Sequence, residues 1–209
     1  MLKERPILFS APMVRALLAG TKTQTRRVCK PQPIADARFV GGHYLPATKR
    51  NPGQEISVEA PYVHIACPYG QRGDRLWVRE TWRRDIDKID GARLVQYRAD
   101  DAIVEAPRTY FDLPSAGWIP SIHMPRWASR ITLEVTGVRV ERLQEISEAD
   151  AIAEGVNVHP DHHGKPRTSI YSPVQAYRDL WESINGPGSW EANPLVWVVE
   201  FKRVEFSPC

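Results

Sequence analysis

No run of eighteen apolar residues occurs in this 209-residue chain, so no segment reads as a transmembrane helix and no membrane partner is expected. The opening Met1-Leu2-Lys3-Glu4-Arg5 leads into too short an apolar stretch for a secretory signal, which points to a cytoplasmic protein. Cysteine is scarce: Cys29, Cys67 and Cys209 fit no C-x-x-C pattern and leave an odd count, which argues against a disulfide scaffold and suits a reducing compartment. Neither a glycine-rich phosphate loop nor a dinucleotide fingerprint is present, and no cofactor is expected. A charge excess is missing too. With 28 Lys+Arg against 25 Asp+Glu the net charge is only +3, so any positive ligand-binding surface has to be local. His159-Pro160-Asp161-His162-His163 has metal-ligating residue types, but no second ligand cluster stands at a standard spacing; it reads as a surface loop, and no metal site is expected.

What the chain has in quantity is proline. Its 18 prolines are roughly double the usual share of about 5%, and they cluster in 31–68 and 107–125, which read as loops. The length suits one domain over 1–209 with a real core and irregular insertions at about 31–72 and 99–128. Short strands are expected at Ile7 to Phe9, Thr23 to Val28, after the Gly73-Asp74 turn, weakly at Val95 to Tyr97, and at Val196 to Phe206. Ile131, Leu133 and Val135 alternate with polar residues and Val138 and Val140 continue the pattern out of phase, which predicts a long strand whose inward face switches near Gly137. Three helices are expected, at 10–19, from Ser147 to Gly155, and from Pro173 to Asn185 with Val174, Tyr177, Leu180, Trp181 and Ile184 on one stripe. Such short strands with helices between them do not alternate as βαβ units. They predict an α+β fold with a curled mixed or antiparallel sheet.

Behind the first predicted helix, whose Gly20 supplies a left-handed exit, comes Thr21-Lys22-Thr23-Gln24-Thr25-Arg26-Arg27. Cations and hydroxyls in one turn suit an anionic, hydrogen-bonding ligand. Spacing alone allows an equally good structural account, because cations favour the negative end of a helix dipole and threonines suit a following strand. Of the seven tryptophans, Trp181 and Trp197 fall on apolar stripes, whereas Trp82, Trp118 and Trp127 lie at strand ends or in Pro-rich loops and are better placed to stack on bases.

Gly20-x-Lys22-x-x-Thr25-x-Arg27 resembles the G-x-K-x-x-[E/T]-x-R signature of the ASCH domains. The resemblance extends to residues 6–20, 73–82, 151–155 and 193–201, blocks similar to ASCH proteins frequent in bacteriophages and prophages. It implies a PUA-like β-barrel with helices at its rim. It also implies three roles carried over from ASCH-type amidohydrolases acting on N4-acetylcytidine: the motif lysine at Lys22, the threonine three positions on at Thr25, and a downstream helical glutamate at Glu154.

The chemistry suits those residue types. A threonine hydroxyl is a poor nucleophile until a base takes its proton, and a desolvated lysine crowded by Arg26 and Arg27 can serve as that base. One arginine can hold an oxyanion, and Glu154 can accept a hydrogen bond from the base or pass a proton to the leaving amine. Gly20, Arg26, Arg27 and Trp82 complete the expected substrate-binding set. The function expected is an RNA- or nucleoside-related hydrolase, most specifically an amidohydrolase of acylated cytidine; a non-catalytic RNA or modified-base binding module and a metal-independent ribonuclease stay open.

Overall fold

A computed structural model describes residues 3–32, 38–40, 43–45, 65–86, 92–106, 114–156 and 172–204. The His159–His163 loop and much of the expected insertion at 31–72 lie outside the described residues. In chain order the elements are β1 (Glu4–Leu8), α1 (Ala11–Leu18), β2 (Gln24–Val28), β3 (Arg38–Val40), β4 (His43–Leu45), β5 (Ile65–Ala66), β6 (Arg75–Arg79), β7 (Trp82–Ile86), β8 (Arg93–Tyr97), β9 (Ile103–Glu105), β10 (Thr132–Arg142), α2 (Glu148–Ala153), α3 (Pro173–Asn185) and β11 (Leu195–Val204). The fold is mixed α+β. Among the described residues the strand pairings do not close into a ring. None of the helices is long and apolar enough to cross a membrane.

The chain divides into two compact units, and the division falls inside the Lys22–Arg27 cluster: Met1–Lys22, Gly73–Glu134 and Lys202–Cys209 form the first, Thr23–Arg72 and Val135–Phe201 the second. In the first unit β1 runs parallel to β6, with Ile7 opposite Val78, and β10 begins antiparallel to β6, with Leu133 opposite Leu76. Opposed residues share a face, and Ile7, Leu76, Val78 and Leu133 are all buried. Helix α1 buries Met13, Val14, Ala16 and Leu17. Ser10 stands at its N-cap but makes no side-chain cap bond. Pro12 removes the N–H of the second helical position, one of the two donors such a cap uses. Ser147 and Ser172, by contrast, accept from Asp150 N and Gln175 N.

Also in the first unit, β7, β8 and β9 form an antiparallel meander. Its inner face packs Trp82, Val95 and Tyr97 with Met124 and Ala128. Tyr97 Oη donates to Ala128 O at 2.9 Å. Arg130 lies 4.1 Å from the Tyr97 ring centroid and is gripped by Glu80 and Asp100.

In the second unit β2 pairs antiparallel with β11, and β3, β4 and β5 form a small antiparallel sheet. The predicted stripe of α3 supplies Tyr177 and Trp181, which pack with Trp190, Leu143, Val196 and Val198. The long strand over 132–142 is continuous, and its burial changes after Val135. Gly137 leaves room for the Glu200 carboxylate: a Cβ there would meet Glu200 Oε2 at 2.5 Å, and the flexible glutamate would have to turn aside.

Candidate functional site

The end of α1 is built as a left-handed cap. Gly20 has φ +74°, its N–H donates to Leu17 O at 3.1 Å, and Thr21 and Lys22 N–H groups both donate to Ala16 O. Gly20 therefore fixes the exit of the helix. The turn it creates delivers Lys22 to a buried position, with Nζ 5.5 Å from the centroid of the Phe9 ring.

In the second unit, Thr23 N donates to Ala153 O at 2.9 Å and Phe201 N donates to Thr23 O at 2.8 Å, so the start of β2 is fastened both to the end of α2 and to β11. Beyond this point the strand alternates. Gln24, Arg26 and Val28 share one face: Gln24 Nε2 donates to Asp150 O, Arg26 reaches the α2 carboxylates, and Val28 packs on the Tyr177–Trp181 cluster. Thr25 and Arg27 share the other face, opposite Val199 and Trp197 on β11.

Arg26 is the hub of this site. Its side chain is fully buried, with Nη1 3.3 Å from Glu154 Oε1, and Nη2 3.0 Å from Glu141 Oε2 and 3.1 Å from Asp150 Oδ2. Arg139 extends the network to Asp150, Glu141 and Glu200. Burial raises the Asp150 carboxyl, but the Arg26 charge, hydrogen bonds from Gln24 and Ser147, and the Arg139 charge together hold it below the ordinary aspartate range. Burial also pushes the Tyr177 phenol well above its usual value, with the Glu154 charge adding and Arg26 and Arg27 opposing. Tyr177 thus stands within electrostatic reach of the pair. The Tyr69 phenol is likewise raised by burial, against the pull of Arg27.

The structure therefore brings Arg26 and Glu154 into contact, whereas Thr25 points to the opposite face of β2. Glu154 is at the C-cap of α2, beside the strand's first residues rather than beneath Thr25. Lys22, Thr25, Arg26 and Glu154 are all only 3–4% exposed. Trp82, expected at a binding surface, is 3% exposed and packs edge-on against Trp127 at 5.6 Å, with its indole N–H lacking an acceptor among the described residues. Cys29 is buried beside the motif strand, and burial together with Cys67 pushes its thiol up to about 12. Among the described residues no group of three His, Cys, Asp or Glu side chains is placed to hold a metal ion.

No family model and no curated protein matches the chain. One solved structure superposes on it. The protein EF3133 from Enterococcus faecalis V583, described as family-model DUF984, does so with a TM-score of 0.40 and 10% sequence identity, over 100% of this chain and 86% of that one. At that score the likeness carries no argument about fold or function.

Glu141, Asp150 and Tyr177 were not among the residues singled out from sequence for this site. Alternation along β2 separates Arg26 from Thr25, but nothing local in the sequence joins Arg26 to Glu141 on β10 or Asp150 on α2. Tyr177 had been visible only as part of an apolar stripe.

Proposed function

We propose that the chain is a cytoplasmic ASCH-type protein of the PUA-like class that hydrolyses an acylated nucleoside or nucleotide, with N4-acetylcytidine the sharpest form of the substrate. The observation that carries this reading is the burial of the motif's polar side chains. Cations and hydroxyls that merely follow a helix cap are expected in solvent, where they cost nothing. Burying charged groups is expensive unless they are paired and hydrogen-bonded, and a fold that builds such a network around a short motif holds those groups in fixed places.

In this reading Thr25 Oγ1 attacks the acyl carbon, and the Lys22 amine takes the hydroxyl proton. Burial is the condition under which a lysine acts as a base. The C–N bond then breaks, the exocyclic nitrogen leaves as the protonated amine, and water releases the acyl group from the threonine ester. Arg27 shares a face with Thr25 and is the arginine suited to the oxyanion. Arg26, wholly committed to carboxylates, is a positioning residue that orients Glu154. The protonated Lys22 returns its proton to the leaving amine, and Glu154, on the other face of β2 from Thr25, accepts a hydrogen bond from that base in this reading.

The direct test is chromatography of N4-acetylcytidine incubated with purified protein treated with chelator. Cytidine and acetate are expected from the wild type. Thr25→Ser should retain part of the turnover because the hydroxyl survives. Lys22→Ala should lose about 10²–10⁴-fold, the usual contribution of a general base. Absence of cytidine with wild type, or undiminished turnover by Lys22→Ala, overturns the hydrolase reading in favour of a binding module.

A further inference from the structure

We propose that the outer face of the β7–β8 hairpin is a docking surface for single-stranded nucleic acid, built on Arg83, Arg98 and Trp118. The register sets Trp82 opposite Tyr97 and Arg83 opposite Gln96. Trp82 and Tyr97 face the core, so alternation turns Arg83, Gln96 and Arg98 outward, with the two arginines on diagonal positions of one face. Arg83 Nε donates to Gln96 Oε1 at 2.6 Å, which fixes its plane. The guanidinium carbons of Arg83 and Arg98 lie 5.1 and 6.0 Å from the centroid of the Trp118 ring.

That tryptophan is held firmly. The next residue, Ile119, exchanges two backbone hydrogen bonds with Trp82, at 3.2 and 2.7 Å, and Ser115 Oγ donates to Gly117 O at 2.9 Å. The ring is half-buried, Arg83 half-buried and Arg98 exposed.

Charge supplies the second argument. Arg26, Arg126, Arg130, Arg139 and Arg178 each meet a carboxylate. Arg83 and Arg98 meet none among the described residues, although both charges are gathered around the one Trp118 ring. An anion placed there offsets both charges. A guanidinium laid on an aromatic ring also keeps its N–H groups for phosphate oxygens and offers its own outer plane to a base.

Ile103, paired with Gln96 and 59% exposed, adds an apolar neighbour. Asp85 and Glu105, both opposite Leu94 one step further along the hairpin, repel phosphates there and confine the footprint to the Trp118 end. A footprint of two cations and one ring, needing open base faces, fits a single strand and not a duplex.

The test is fluorescence anisotropy of a labelled twelve-nucleotide oligouridine with the full chain, titrated at several salt concentrations. Wild type should bind with a log K against log salt slope of about −1.4, the value for two phosphate contacts on a single strand. Arg83→Gln and Arg98→Gln should each make that slope shallower by about half. Trp118→Ala should weaken binding by roughly 5- to 150-fold, the loss of one stacked base, and Trp118→Phe should recover part of it. Arg98 is exposed, so Arg98→Gln reads the site even if a tryptophan variant unfolds.

Failure of the wild type to bind, affinity unchanged in Arg83→Gln, Arg98→Gln and Trp118→Ala alike, or a matching duplex bound as tightly as the single strand would each overturn the proposal. Turnover of free acetylcytidine is measured alongside and should be unaffected by Arg98→Gln. Turnover without oligonucleotide binding sinks this surface alone, and binding without turnover sinks the hydrolase alone.

Discussion

Replacing Arg26 by methionine keeps most of the side chain's volume while removing its charge, and the structure determines what that leaves behind. Glu154 is the partner with nowhere to go, its side chain 4% exposed. Asp150 and Glu141, 25% and 22% exposed, keep contact with solvent and with Arg139. The loss is therefore dominated by the buried Glu154 carboxylate, which gives up its Arg26 ion pair, and removal of one member of a buried pair costs about 3–5 kcal/mol. Against a total stability of about 5–15 kcal/mol that is a large fraction. With a urea m-value of about 2 kcal/mol per molar, the unfolding midpoint should fall by about 1.5–2.5 M. Adding Glu154→Gln to Arg26→Met removes the buried charge that lost its arginine and should return about 2 kcal/mol, a coupling within the range found for residues in contact. Adding Glu141→Gln instead should return less than about 1 kcal/mol, as for exposed pairs. If Arg26→Met costs under about 1 kcal/mol, or if Glu154→Gln restores nothing, then Arg26 does not hold Glu154 and its positioning role falls.

The depressed Asp150 carboxyl makes the second prediction. Its folded value lies below the unfolded one, so its contribution to stability is full above the unfolded aspartate range and is lost as pH falls through the folded value. Asp150→Asn should accordingly flatten the acid limb of urea midpoint against pH, measured from neutrality down to about pH 3, below the ordinary aspartate value near 3.9. The Glu80 carboxyl is raised by burial despite Arg130 and acts in the opposite sense, so the difference between variant and wild type isolates Asp150; parallel curves would refute the assignment. Third, Gly137→Ala should destabilise by no more than about 1 kcal/mol, because the new methyl has only to turn the flexible, exposed Glu200 carboxylate away from Arg139 and so costs a partly exposed ion pair. Thermal melts should show the Gly137→Ala/Glu200→Ala double variant to be more stable than the Gly137→Ala single one, and no such recovery would mean that the clash is elsewhere.

The helices were legible because their signals are local. Apolar spacing, Ser147 before α2, Pro173 at the start of α3, and glycines with positive φ at 20 and 155 specify α1, α2 and α3 within a residue or two. Trp181 and Trp197 announced their burial for the same reason. Trp82 did not, since its position at a strand end hides the fact that the meander folds its inner face onto Met124 and Ala128. The lysine and threonine of the motif could be read as a spacing, but not the faces that a pleat assigns them. Alternation from Gln24 separates Thr25 from Arg26, and only tertiary packing reveals that the Arg26 side belongs to the acidic helix. The pairing of Arg130 with Glu80 and Asp100 joins residues 30 to 50 apart in sequence and has no local signature at all.

The pairing of β2 with β11 has a consequence for how the molecule is made. Thr25 lies opposite Val199, roughly 170 residues further along, and Glu154 follows the motif by more than a hundred. A ribosome adding about 5–20 residues per second would leave the motif strand without its neighbour for roughly 10–35 s. For the first two thirds of that interval Arg26 has none of its three carboxylates, and throughout it the edge of β2 is open to any extended segment in reach. The motif strand thus emerges long before β11 does and is completed only with it, and termination between the two would release a nascent chain carrying the whole signature and no assembled site.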